Sequence, residues 1–282
     1  MAEMLTEVNN MFITNTKKII KHLLPKKMFY YDYRDNAKQP TPLQAYYEQF
    51  KSGRRYLINV PVDLLKFSRL LKVWVNVVKE FDRSDDEHKG KHAGKRLLKN
   101  HFDGHQPRTV ADVLQISPHK DWHKLESRYF CPPWSALTPK QAAKQKQKTM
   151  EVEMRQFANK QYRNEDGWKG YGPVSNAVLD METDRLFSLY QSVKERGLLD
   201  SFGFIGGQLF VSGQQELVAP KGGWHRVAVC IALKHRHIPM MFRSNIFVLR
   251  REDARCWPNV ISGLYSEEEA LMYFDRQFKP LL

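Results

Sequence analysis

The residues best suited to chemistry lie in one run, Gly222-Gly223-Trp224-His225-Arg226. Paired glycines accept positive φ without steric cost and so make a tight turn. Residues 227–233 are apolar on every side and predict a helix buried all round. Trp224, His225 and Arg226 then occupy its first turn. A helix start carries unpaired backbone N–H groups and a partial positive charge. An imidazole and a guanidinium added there give a site suited to phosphate or carboxylate, with Lys221 just before the turn. The plainer account is a simple turn followed by solvated side chains.

Histidine and cysteine offer less. His88/His92, His101/His105 and His119/His123 each have the spacing that puts two imidazoles on one helix face. Gly90 interrupts the first pair, Gly104 follows closely within the second, and none sits in a metalloprotease pattern, so no metal site is assigned. Cys131, Cys230 and Cys256 are too few and too scattered for a disulfide framework or a zinc ribbon. Cys230 falls inside the apolar helix as a small hydrophobe, and the usage fits a reducing cytoplasm.

The Gly222–Arg226 run, followed by an apolar helix and Ile238-Pro239-Met240, resembles the signature of the ParB/sulfiredoxin-like superfamily. The likeness covers residues 171–282. A narrower likeness rests on Gly172-Pro173-Val174-Ser175, on the helix carrying Glu182 and Arg185, and on Trp257-Pro258 to Ser262-Gly263. It is to an uncharacterised bacterial branch often encoded beside surface-polysaccharide genes. The resemblance implies a turn that binds nucleotide phosphates, with Lys221, Gly222, Gly223, Trp224, His225, Arg226 and Arg185 around them. It also implies ATP or CTP as the nucleotide, with Mg2+ held by a carboxylate and waters. Glu182, Asp184 and Glu216 are the candidate carboxylates. Glu182 is preferred because it matches an acidic position of that branch, and it is also a candidate base for a hydroxyl acceptor. Its plainer role is a helix pair with Arg185. His225 is either a general acid/base or a phosphate donor. Sulfiredoxins carry a reactive cysteine where this chain has Trp224, so that thiol chemistry is excluded. Serine-kinase-like relatives often carry an acid just before the turn, where this chain has Lys221 and Gly222.

Three functions stay open. The first is a phosphotransferase or nucleotide hydrolase acting on a small-molecule or glycan hydroxyl. The second is a nucleotide-gated DNA-binding protein. The third is a non-catalytic accessory factor for anionic glycan or membrane.

The elements that must position these residues read as α+β. The expected arrangement is a mainly helical region over 1–165 and a small mixed sheet with packed helices over 166–282. The glycine-rich run 164–172 marks the boundary. Ser175 caps a helix that ends at Gly197. Residues 202–211 and 214–219 form a hairpin at Ser212-Gly213, and 246–250 add a strand. Ser266 and Glu269 make a capping box for a helix over 267–278.

Upstream, 2–24 predict an amphipathic helix that docks on the body, swaps as an arm onto a partner, or lies on a membrane surface. Tyrosines 30–33 and 46–47, near Arg34, Arg54 and Arg55, serve packing or base stacking. Residues 55–60 predict a strand, and 63–78 a helix or a strand pair. The polar run 83–100, with Gly90 and Gly94, predicts a surface loop. Thr138-Pro139 starts a helix to about residue 162. Its Lys140, Lys144, Lys146 and Lys148 form a basic stripe, solvated or facing phosphates.

The chain has 282 residues and 42% hydrophobic content, enough for a real core. A formal charge of +14 favours anionic partners, among them nucleic acid, acidic lipid and phosphorylated small molecules. No run approaches the roughly 18–20 apolar residues of a membrane span. A secretory signal pattern is also lacking, and a cytoplasmic location is expected.

Overall fold

The computed structural model describes residues 30–36, 38–115, 121–200, 203–242 and 248–279. The helix expected over 2–24 lies outside them, as do the first two residues of the strand expected over 246–250.

The chain begins with β1 (Tyr30–Asp32), then α1 (Pro42–Ser52), where Thr41 and Gln44 form a capping box. Next come β2 (Arg55–Pro61), α2 (Arg69–Arg83) and α3 (Glu87–Gly104). A short α4 (Val110–Leu114) leads by turns to α5 (Pro139–Ala158). A two-stranded ribbon, β3 (Gly167–Trp168) and β4 (Tyr171–Val174), precedes α6 (Asn176–Arg196). The last part holds β5 (Ile205–Ser212), β6 (Gln215–Lys221), α7 (Trp224–Ala232), β7 (His237–Phe242), β8 (Leu249–Arg250), α8 (Pro258–Ile261) and α9 (Glu267–Asp275). The architecture is α+β, with a helical N-terminal region and a more strand-rich C-terminal one.

One mixed sheet runs in the order β1-β2-β7-β5-β6, and β8 also pairs with β5. β2 is antiparallel to β7 over six residue pairs, from Tyr56 opposite Phe242 to Pro61 opposite His237. Strands from either side of residue 165 are therefore neighbours. β5 is parallel to β7 at Ile205 and Gly206 and parallel to β8 at Phe210 and Val211. Its residues from Ile205 to Val211 are all buried, as expected of a strand covered on both faces.

The largest core cluster joins Leu71, Trp74 and Val78 of α2 to Leu179 and Leu186 of α6, Leu209 of β5 and Val227–Cys230 of α7. Burying each aliphatic side chain stabilises by about 1.5–3 kcal/mol relative to exposure. A second cluster gathers Trp257, Tyr265 and Phe274 with Phe210 and Trp122. The ambiguous stretch 63–78 resolves into helix from Arg69 onward, because Ser68 caps the Leu71 amide and opens α2.

The polar run 83–100 is a correction. From Glu87 onward it is the body of α3, capped by Asp86. Gly90 and Gly94 are buried against α2. A Cβ on Gly94 would stand 2.6 Å from Phe81 Cε1 and 2.9 Å from Val77 Cγ1. These glycines act as the groove that lets two helices approach rather than as breakers. Lys146 is a second correction, to the basic stripe of α5. Lys140, Lys144 and Lys148 are exposed, whereas Lys146 turns inward and donates to the carbonyls of Arg128 and Phe130 at 2.8 Å each.

Candidate functional site

Ser175 caps α6 through the Val178 amide, and the helix then runs 21 residues. Its Arg185, Ser188, Ser192 and Arg196 recur at helical spacing and form one stripe. The first turn of α7 faces that stripe across a cleft of about 660 Å³. Gly223, His225 and Arg226 contribute from α7, and Gln156 and Phe157 from α5.

The turn has the geometry its glycines predict. Gly222 has φ +85° and Gly223 φ +71°. Gly223 is the N-cap, and no side chain caps this helix. The amides of the first turn therefore lack a helical acceptor. A side chain at Gly223 would also meet Ile205 Cγ1 at 3.0 Å and Arg226 Nη2 at 3.1 Å.

His225 Nε2 and Glu182 Oε2 stand 2.8 Å apart. Glu182 is 0% exposed, and the His225 side chain keeps only 8%. Burial alone pushes the Glu182 carboxyl up. The His225 charge and hydrogen bond, with Lys169 and Arg185 close by, outweigh it and hold the group below the usual carboxylate range. A carboxylate only accepts, so Nε2 donates, and Nδ1 is the nitrogen that carries the lone pair whenever the ring is neutral. Trp74 of α2 packs on the ring at 4.3 Å between centroids and fixes its plane. Glu182 Oε1 has no hydrogen-bond partner.

Arg185 does not pair with Glu182 in the helix. Its Nη1 lies 3.3 Å from Glu153 Oε1 of α5, near enough for an ion pair. The alignment makes no hydrogen bond, and that nitrogen is buried and unsatisfied. Its guanidinium also sits 4.1 Å from the Phe157 ring. Lys169 holds the other oxygen of Glu153. Arg226 Nη1 donates to Gly203 O at 2.6 Å, and burial pushes this guanidinium down from its ordinary value.

No family model, no curated protein and no solved structure matches this chain. The site therefore rests on its own geometry.

The structure brings Gly223, His225, Arg226 and Arg185 to one cleft and sets Glu182 behind His225. Glu182 is not a base facing an acceptor, because no part of it reaches solvent. Lys221 and Gly222 lie off the cleft lining, with Lys221 close to Lys66, whose ammonium burial and that neighbour push down to about 8. Trp224 lines a different cavity.

The other candidate carboxylates are occupied. Asp184 lines the cleft but is held by Lys91 at 2.6 Å, and Glu216 accepts from the Leu43 amide at 3.3 Å. The cleft thus presents one engaged carboxylate among three guanidiniums. With the Asp184 carboxylate paired to Lys91 and three guanidiniums around it, the cleft does not fit a protein-held Mg2+. Among the described residues no three His, Cys, Asp or Glu side chains gather as a metal site. His105 Nδ1 meets Arg69 Nη1 at 3.0 Å, and His119 lies outside the described residues. Cys230 is fully buried in α7, and burial pushes its thiol up to about 12.

Ser188, Ser192 and Arg196 escaped the sequence reading, although their spacing after Arg185 was available as a signal. Trp74 and Glu153 carried none, since only tertiary packing brings them to the site.

Proposed function

We propose that the cleft grips the phosphate chain of a nucleotide, ATP or CTP, and that the protein is a phosphotransferase or nucleotide hydrolase of the ParB/sulfiredoxin-like kind. The observation that carries this reading is the uncapped helix start at Gly223, with Arg226 in its first turn, facing Arg185 and Arg196 across one cleft. Free amides and guanidiniums together match phosphate oxygens in charge and in donor geometry.

His225 then acts as the general base. Nδ1 takes the proton of an acceptor hydroxyl, or of water, as that oxygen bonds to the terminal phosphorus. The bond from phosphorus to the bridging oxygen breaks, and the nucleoside diphosphate leaves. Glu182 is a positioning residue that fixes the tautomer and steadies the imidazolium. Phosphate charge is met by the three guanidiniums, so magnesium at this site would come with the nucleotide.

Melting temperature is the test, read with ATP, CTP and inorganic phosphate, each with and without Mg2+. A ligand at 100 times its Kd adds about 2.7 kcal/mol to apparent stability. Arg185→Ala and Arg226→Ala should each weaken binding by one to two orders of magnitude, on the scale of about 1.5–3 kcal/mol for a charged hydrogen bond. His225→Gln, whose side-chain amide N–H can still meet Glu182, should abolish turnover with a cooperative melt retained, whereas His225→Ala would strand the buried Glu182 carboxylate. A panel in which no phosphate compound moves the melt overturns the reading. Salt-sensitive retention of duplex DNA, changed by nucleotide but without turnover, would favour the nucleotide-gated DNA-binding function instead. An anionic glycan alone raising the melt would favour the accessory factor.

A further inference from the structure

Trp74, which packs on His225, also lines a second cavity of about 560 Å³. Its walls carry six aromatic rings, from Trp74, Phe130, Trp168, Tyr171, Trp224 and Tyr273. They also carry Arg69, Lys146 and Lys169, and no carboxylate among the described residues. The cavity draws on α2, α3, α5, α7, α9 and the β3-β4 ribbon, so the fold as a whole builds it.

Its polar atoms are incompletely satisfied. Trp74 Nε1 and His101 Nε2 are buried without a hydrogen-bond partner. Native interiors nearly always satisfy such atoms, and each exception needs an explanation. Lys146 gives two hydrogens to carbonyls, and an ammonium has three. Burial pushes Lys146 down to about 8 and His101, first by burial and then by His105 and Arg69, down to about 4. Lys169 is committed to Glu153, and Arg69 Nη1 to His105.

We propose that this cavity binds a flat aromatic anion, with the ring among the tryptophans and the anionic group on Lys146 and the unpartnered Trp74 indole N–H, beside His101. Aromatic walls select a planar ring, and a wall with cations and no acids selects negative charge. The occupant binds whether or not nucleotide enters the neighbouring cleft.

Three of the six tryptophans, Trp74, Trp168 and Trp224, line this cavity, so intrinsic fluorescence reports on it. Benzoate and phenyl phosphate should each quench it saturably, and their relative affinity identifies the head group. Benzyl alcohol, lacking charge, and glucuronate, lacking a flat ring, should bind at least tenfold more weakly. Lys146→Met and His101→Asn, each with a cooperative melt retained, should weaken benzoate or phenyl phosphate by tenfold or more. Quenching by neither anion overturns the proposal. So does equal binding of benzyl alcohol or glucuronate, or wild-type affinity in both folded variants. Arg226→Ala of the first cleft leaves these titrations unchanged, which separates this result from the nucleotide test.

Discussion

Glu182 shows how one carboxyl is made useful by being hidden. Its folded pKa is depressed, so the stability it contributes is present above the ordinary carboxylate value. That contribution is lost as pH falls through the depressed value. Glu182→Gln should therefore flatten the acid limb of stability, read as urea midpoints from pH 7 downward. Glu182→Ala, which strands His225, should cost about 3–5 kcal/mol at neutral pH. His101 acts in another window. Its folded value, about 4, lies below the unfolded 6.5, so the neutral ring favours folding above 6.5. That benefit fades as pH drops from 6.5 to about 4, and His101→Asn should remove this slope. The turn glycines, His225, Arg226 and Arg185 were legible because their chemistry is local. The partner of His225 lies 43 residues away in sequence, and no periodicity announces such a pair.

Helix starts were the most readable elements. Thr138 with Gln141, Ser175 and Ser266 with Glu269 all cap the helices their side chains announce. These signals are confined to one turn of chain. The opposite error came from Gly90 and Gly94, where a propensity rule met a packing requirement. Gly94→Ala should destabilise by about 1–3 kcal/mol through overpacking against Phe81 and Val77. Gly104→Ala, in the same helix with nothing within 4 Å of the new methyl, should be neutral or stabilise by up to about 1 kcal/mol. Chemical denaturation of the two variants checks the pair. Gly223→Ala combines φ +71° with two close contacts and should lose both stability and phosphate affinity, read together by melting with and without phosphate.

At the scale of the molecule, β2 was legible as a strand but not as the neighbour of β7. Strand pairing is a long-range choice, and Val60 carries no mark of its partner Ile238. The consequence reaches beyond topology. The segment 166–282 alone lacks β2 along β7 and lacks α2 and α3 against α6 and α7. It should show no cooperative thermal transition in isolation, by circular dichroism.

The two ends of the sheet differ from its middle. β1 is three residues long, and β6 is flanked by Leu65, which bridges Val218, while the Lys66 amide donates to the Val218 carbonyl at 2.8 Å. Among the described residues, then, one border is short and the other is partly covered at its centre, which narrows the room for a second copy to add a strand to the native sheet.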